Sequence, residues 1–322
     1  MRRPPVAAYL EDNLKRAARA RVIGLVKLGY PCVNLTLENG GIKTFRLQSF
    51  SANRLTETVE ANLRNLLDVL RFNVEHGLLF FRLSSQLIPF ASHPIAHYPW
   101  QKWFEWRFED IGAYVREHGV RLSMHPDQYT VINSPDEKVV EASIRELQYH
   151  CELLDLLGVD GTHKVQIHGG GFYGDKERSL ERFIHRYGRL SERVRRRLVI
   201  ENDDRLFSFA DCERIHAATG VPVLYDVFHH RLLNDGNGDA VDGLRRAART
   251  WKQEDGLPMV DYSSQEPGKR VGTHVSTIDV EDFSRFLAAT RNLDFDVMLE
   301  IKDTDLSAIK ALPLLIELRP RV

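Results

Sequence analysis

Six apolar runs in this chain stop on a residue able to ligate a metal or move a proton. LSM ends at His125, KVQI at His168, LVI at Glu201, VPVLY at Asp226, PMV at Asp261 and VML at Glu300. His229 and His230 follow Asp226 within one short turn. A lone histidine at a strand end is more often satisfied within the fold, and a lone carboxylate there often caps the next helix. Six such ends in succession carry more weight. Four carboxylates gathered at one face repel one another unless cations sit among them. Mixed oxygen and imidazole donors suit Mn²⁺, Zn²⁺ or Fe²⁺ better than Ca²⁺, and they exclude a structural cysteine zinc site.

The ligand set is large. His93, on the loop at residues 90–94, joins His125, His168, His229 and His274 to the carboxylates Glu201, Asp226, Asp261 and Glu300. That is enough for as many as three divalent ions, with Mn²⁺ the leading expectation. Glu201 and Glu300 are able to bridge ions about 3.5–4 Å apart, as two-metal phosphodiester chemistry requires. Three divalent ions exceed four carboxylates by about two positive charges, an excess that attracts a phosphodiester and stabilises its transition state. A bound water with its pKa lowered towards roughly 7 serves as nucleophile. No GxSxG or Cys–His pattern offers a side-chain alternative. Glu201, Asp226 and Glu300 are the expected catalytic carboxylates, and Lys302 is a candidate phosphate contact.

These positions must share one face, and the patterning supplies a fold that brings them there. Apolar runs at 22–30, 78–83, 120–124, 163–168, 198–202, 221–226, 258–263 and 295–302 alternate with helical stretches. One helix is expected to start at Thr56 as N-cap and to carry Val59, Leu63, Leu66, Leu67, Leu70 and Val74 on one stripe, with Gly77 stopping it. Ser134-Pro135 should open another, with Gly158 closing it. Others fall near 102–118, before Arg196, at 208–219, 240–254 and 305–318. Near-continuous apolar strands between helices imply a parallel sheet buried on both faces. Eight such units imply a single (β/α)₈ TIM barrel, whose active residues stand at the C-terminal strand ends. A doubly wound open sheet would instead gather ligands at one switch point. The expected division is an N-terminal basic helical extension, residues 1–21, and a barrel domain, residues 22–322.

Composition sets limits on partners. The 322 residues carry a formal charge of −1, so any nucleic-acid footprint must be local. Arg46, Arg54, Lys102, Lys176 and Arg270 are the loop cations expected to flank the mouth. Three widely spaced cysteines fit a reducing compartment, and a cytoplasmic location is expected. No apolar run of about 7–15 residues follows the two basic residues near the start, so no signal peptide is expected. No uncharged apolar run reaches about 18 residues, so no membrane span is expected. Nothing demands a protein partner or more than a monomer. Near the ligands, Gln128-Tyr129 pairs an amide with an aromatic; such a ring can stack on an unstacked base, although ordinary loop packing is as good an account. Tyr30 and Asn34, at the end of the first strand, are expected to face the same mouth.

The segments LGYPCVNLTL, RFNVEHGLLFFRLSSQLIPFASHP, RLSMHPDQY, HGGGFYGDKE, IENDDRL and DVFHH together resemble the UV damage endonuclease family, over roughly residues 24–302. The resemblance implies a TIM-barrel repair enzyme, typically manganese-dependent, acting on damaged double-stranded DNA. Such enzymes nick immediately 5′ of cyclobutane pyrimidine dimers and (6-4) photoproducts, leaving a 3′-hydroxyl and a 5′-phosphate. It implies metal ligation by His93, His125, His168, Glu201, Asp226, His229, His274 and Glu300, lesion probing by Gln128 and Tyr129, and a lesion pocket lined by Tyr30 and Asn34. One departure stands out. Where several members of the family carry Lys-x-His, with a carboxylated lysine, this chain has Met259-Val260-Asp261. Asp261 is therefore expected to replace the histidine as ligand and to restore the missing negative charge. An apurinic-site endonuclease, a sugar isomerase of the same barrel type and a non-cutting damage-binding protein are the competing readings.

Overall fold

The computed structural model describes residues 26–95, 98–234 and 239–318. The expected extension at residues 1–21 and its boundary with the barrel lie outside the described residues. Eight parallel strands close in sequence order into a barrel. They are β1 Leu28–Pro31, β2 Phe80–Leu83, β3 Arg121–Met124, β4 Lys164–His168, β5 Leu198–Glu201, β6 Val223–Asp226, β7 Met259–Tyr262 and β8 Asp296–Leu299. Each is shorter than the apolar run that predicted it, because the hydrogen-bond ladder stops before the apolar side chains do. Gly29 has a local reason: a Cβ there would stand 1.8 Å from the Phe80 carbonyl oxygen, so only glycine lets β1 lie against β2.

Strand alternation sorts the interior into layers. The lowest is ionic. The Arg121 guanidinium meets Asp296 at 2.8 Å, and Lys164 Nζ meets Asp255 at 2.5 Å. Next to it inside the barrel, Phe80, Val199, Leu224, Met259 and Met298 form an apolar plug with Trp251. The next inward positions are Arg82, Gln166, Glu201, Asp226, Asp261 and Glu300, at the C-terminal end. The residues between them point outwards and pack under the helices, each buried Leu or Phe contributing about 1.5–3 kcal/mol.

The helices follow the expected order with corrected ends. Helix α1, Ala52–Glu75, is capped by Ser51, whose hydroxyl accepts from Arg54 N–H, and not by Thr56. Thr56 lies inside the helix and donates to the Ala52 carbonyl. The stretch at 102–118 divides into α2, Trp100–Trp103, and α3, Glu105–His118. Helix α4, Glu137–Leu156, is capped by Asp136; Ser134 receives the N–H of that cap, so Ser134-Pro135 precedes the helix. Helices α5, Lys176–Tyr187, α6, Glu192–Arg197, and α7, Phe209–Thr219, follow. Helix α8, Val227–Leu232, was not expected, because it starts on the residue after β6 with no linker to announce it. Helices α9, Ala240–Ala248, α10, Val280–Ala289, and α11, Asp305–Leu318, complete the ring.

His163, just before β4, makes the lower end acid-sensitive. Its buried Nδ1 accepts from Leu122 N–H at 2.9 Å. Burial first, then the cations Arg121, Arg197 and Lys27 against the pull of Asp160, push the imidazole down to about 3. The unfolded value is about 6.5, so the stability contributed by neutral His163 is complete above that pH and is lost as pH falls towards the folded value. Urea unfolding of His163→Asn between pH 6.5 and 4 is expected to show a stability slope shallower by up to about 1.4 kcal/mol per pH unit. A slope equal to that of the wild type would refute the assignment.

Candidate metal centre

The strand ends converge on three overlapping groups of ligand atoms. His125, His168 and Glu201 form the first, Glu201, Asp226 and His229 the second, and Asp226, Asp261 and Glu300 the third. Within each group the ligand atoms lie within 4.8 Å of one another. Register explains the overlap: His168 pairs with Glu201 across β4 and β5, and Asp226 with Asp261 across β6 and β7. The imidazoles form an arc, with ring centres 5.1 Å apart from His125 to His168, 5.7 Å to His229 and 6.0 Å on to His274. His274 reaches the arc on the segment after β7, which folds back through a bridge between Gln265 and His274.

Backbone carbonyls orient the rings. His125 Nδ1–H donates to Pro126 O at 2.8 Å, His229 to Asn202 O at 3.0 Å and His274 to Glu300 O at 2.8 Å. Each bond fixes the tautomer and leaves Nε2 as the lone-pair nitrogen, the usual arrangement behind a metal-ligating histidine. Asp226 divides its work. Its Oδ1 accepts from His229 N–H at 2.7 Å and caps α8, while Oδ2 has no hydrogen-bond partner. Glu201 Oε1 and His168 Nδ1 are also buried without hydrogen bonds. Orphaned buried acceptors of this kind are what divalent cations satisfy, so the residues fit a metal.

The carboxylates compete for charge. Burial, reinforced by Glu201 and Glu300 against the pull of His229, pushes Asp226 up to about 7. Burial opposes the Glu201 carboxylate, but His168, His125 and His229 hold it well below the usual range. Asp226 and Glu201 in turn outweigh burial at His229 and raise it to about 11.

Sequence reasoning missed two members of the site. Arg82 is buried at the centre, its Nη2 donating to Asp261 Oδ1 and Oδ2 at 2.8 and 2.7 Å and to Gln166 Oε1 at 2.8 Å. Its Nη1 donates to Glu300 Oε1. Gln166 Nε2 donates to Glu201 Oε2 at 2.7 Å and to Asp261 Oδ2 at 2.8 Å. The signal was available: an arginine in LLFFRL and a glutamine in KVQIH are polar residues inside buried strands. Asp261 therefore enters the site, but as the partner of a guanidinium. The charge count from four carboxylates alone omits this internal cation.

Other expected residues divide. Gln128 lies on the wall of a cavity of about 400 Å³ shared with His125, His168, Asp203, Arg205 and His229. Tyr129, beside it, is 75% exposed on a turn where its N–H donates to Asp127. Tyr30 and Asn34 do not face the mouth. Because Gly29 points inwards, Tyr30 points outwards; its hydroxyl donates to Asn73 and accepts from Asn34, and both residues are buried. His93 is exposed and stands outside the three groups, its Nδ1 accepting from Ile95 N–H. Lys302 is exposed, with Nζ 3.9 Å from Glu266. Arg46, Arg54, Lys102 and Arg270 are exposed, whereas Lys176 is paired with Asp211 at 2.8 Å.

The family model "UV-endonuclease UvdE" matches residues 26–319. The UV DNA damage endonuclease of Clostridium perfringens is 37% identical over 288 residues, 89% of this chain and 70% of that protein. The solved structure of SacUVDE is 44% identical, covers 91% of this chain and 99% of its own, and superposes with a TM-score of 0.86. Endonuclease IV from Thermus thermophilus covers 91% of this chain and 98% of its own at 18% identity, with a TM-score of 0.57, a likeness of fold alone.

Mutual repulsion of the carboxylates predicts a response to metal. Adding Mn²⁺ to chelator-treated protein at pH 7.5 is expected to raise Tm by several degrees, since ligand at about 100 times its Kd stabilises by about 2.7 kcal/mol. Glu201→Gln, which weakens two of the groups, should remove most of that rise. An unchanged melting curve in the wild type would contradict the assignment.

Proposed function

The chain belongs to the UV-endonuclease UvdE family, and on that premise we propose that it nicks the phosphodiester immediately 5′ of UV photoproducts in double-stranded DNA, leaving a 3′-hydroxyl and a 5′-phosphate. The observation that carries the reading is the placing of overlapping ligand groups beside a cavity lined by Gln128, with the exposed Tyr129 next to it in the chain. A closed pocket for a small sugar has no use for an exposed rim aromatic.

Divalent ions, Mn²⁺ first and Zn²⁺ as the alternative, would be held by His125, His168, Glu201, Asp226 and His229, with His274 and Glu300 alongside, and would supply Lewis-acid charge and an activated water. The chain's own residues prepare the rest. Glu201 belongs to two of the groups, so a single buried carboxylate ties them together. Asp203 and Asp204 share the cavity wall with Arg205, the cation nearest to hand for a backbone phosphate there. Tyr129 offers a face on which a base next to the lesion stacks, and the Gln128 amide replaces hydrogen bonds that an unpaired base has lost. Lys302 and the exposed Arg46, Arg54, Lys102 and Arg270 are proposed to contact the flanking backbone.

An end-labelled duplex carrying one thymine dimer tests the reading. With Mn²⁺, a single cut directly 5′ of the dimer is expected, absent with chelator and absent from undamaged duplex. Cutting only at an abasic site would transfer the assignment to an apurinic-site endonuclease. Tyr129→Ala is expected to weaken binding to the dimer duplex by about 10- to 100-fold, since stacking on one base contributes about 1–3 kcal/mol. Glu201→Gln should abolish cutting while leaving duplex binding within a few-fold of wild type.

A further inference from the structure

The three ligand groups are not equally open. Of the buried atoms without a hydrogen bond, Glu201 Oε1 and His168 Nδ1 belong to residues of the first two groups, and Asp226 Oδ2 to a residue shared by the second and third. In the third, Asp261 is fully buried and accepts three side-chain hydrogen bonds, two from Arg82 Nη2 and one from Gln166 Nε2. A carboxylate has about four lone-pair positions, so roughly one remains. Glu300 Oε1 is also taken up by Arg82.

From these contacts we infer that Arg82 is the resident third cation of the mouth, that Asp261 is its counter-ion and not a metal ligand, and that the chain binds two divalent ions. The inference rests on the reading that ions occupy the barrel mouth, and it deepens that reading. The Arg82 guanidinium bridges Asp261 and Glu300, two of the three carboxylates of the third group, and leaves Asp226 to the second. Covered by protein on every side, it cannot leave as an ion can. Arg82 is held in turn. Its Nη2 is shared with Gln166 Oε1, and both amide hydrogens of Gln166 are committed to Glu201 and Asp261. From below, β7 offers no further oxygen, because its other inward residue is Met259, packed with Phe80, Val199, Leu224, Trp251 and Met298. Two divalent ions and one guanidinium still exceed four carboxylates by one positive charge, which is enough to favour a phosphodiester. On this account Arg82 and Gln166 are positioning residues: they fix Glu300 and Glu201 before any ion arrives.

Counting ions decides the matter. Chelator-stripped full-length protein is titrated with Mn²⁺ alone, and free Mn²⁺ is followed by its paramagnetic resonance signal. The expected saturation is two ions per chain in the wild type and two in Asp261→Asn. Arg82→Lys should also bind two, because the charge is kept. Arg82→Met should admit a third, weaker ion if its melting curve shows a folded protein; if it does not fold, the wild-type and Asp261→Asn counts decide alone. Three ions in the wild type, or the loss of one in Asp261→Asn, would overturn the inference while leaving the metal-dependent reading intact. No bound ion at all would overturn both.

Discussion

Burying Glu201, Asp226, Asp261 and Glu300 at one end of a closed barrel imposes the constraint to which the rest of the structure responds. Like charges at this separation cannot all persist in a poorly solvated space without compensation. The molecule answers with an arginine from β2, an amide from β4 and an arc of imidazoles from the ends of β3 and β4, the start of α8 and the segment after β7. The ends of β2 to β8 each carry a candidate ligand, a countercharge or a residue that orients one.

A barrel meets this constraint more readily than an open sheet. Its strands deliver side chains inwards from all sides, so that residues more than a hundred positions apart in sequence share hydrogen bonds. The pairs Arg82–Asp261 and Arg82–Glu300 span 179 and 218 positions. The plug around Trp251 and Met259 supports this layer from below and separates it from a second buried ionic layer at the other end. The two layers differ in kind. Arg121 and Lys164 meet single carboxylates and backbone carbonyls and leave little unsatisfied. The upper layer keeps buried acceptors open. Between these two layers, only the upper keeps acceptors without a hydrogen bond, the mark of a site in place of a structural ion pair.

The likeness of fold to endonuclease IV shows how little the barrel says by itself about chemistry. The distinguishing features lie on the loops. Gln128 and Tyr129 stand on a turn that Asp127 ties down, and Tyr129 is 75% exposed there. An exposed aromatic next to a residue of the cavity wall is accessible to a large, deformable substrate, whereas small substrates are better served by enclosure.

The primary sequence carried the fold. Eight apolar runs alternating with helical stretches, six of them closing on His, Glu or Asp, specify an alternating barrel and one active face, because hydrophobic period and strand count are local properties. It also carried the positions of His125, His168, Glu201 and Asp226, since a polar residue at a strand end is visible as a break in an apolar run, and His229 follows in the next turn. Tertiary structure alone decided which neighbours those residues meet. The outward turn of Tyr30 depends on Gly29 facing in, a matter of register. The start of α8 on the residue after β6, which gives Asp226 a cap to form as well as an open oxygen, has no linker to mark it. The pairing of Arg82 with Asp261 depends on the closure of β2 against the far wall. Charge compensation between distant strands is a three-dimensional property, and no spacing along the chain encodes it.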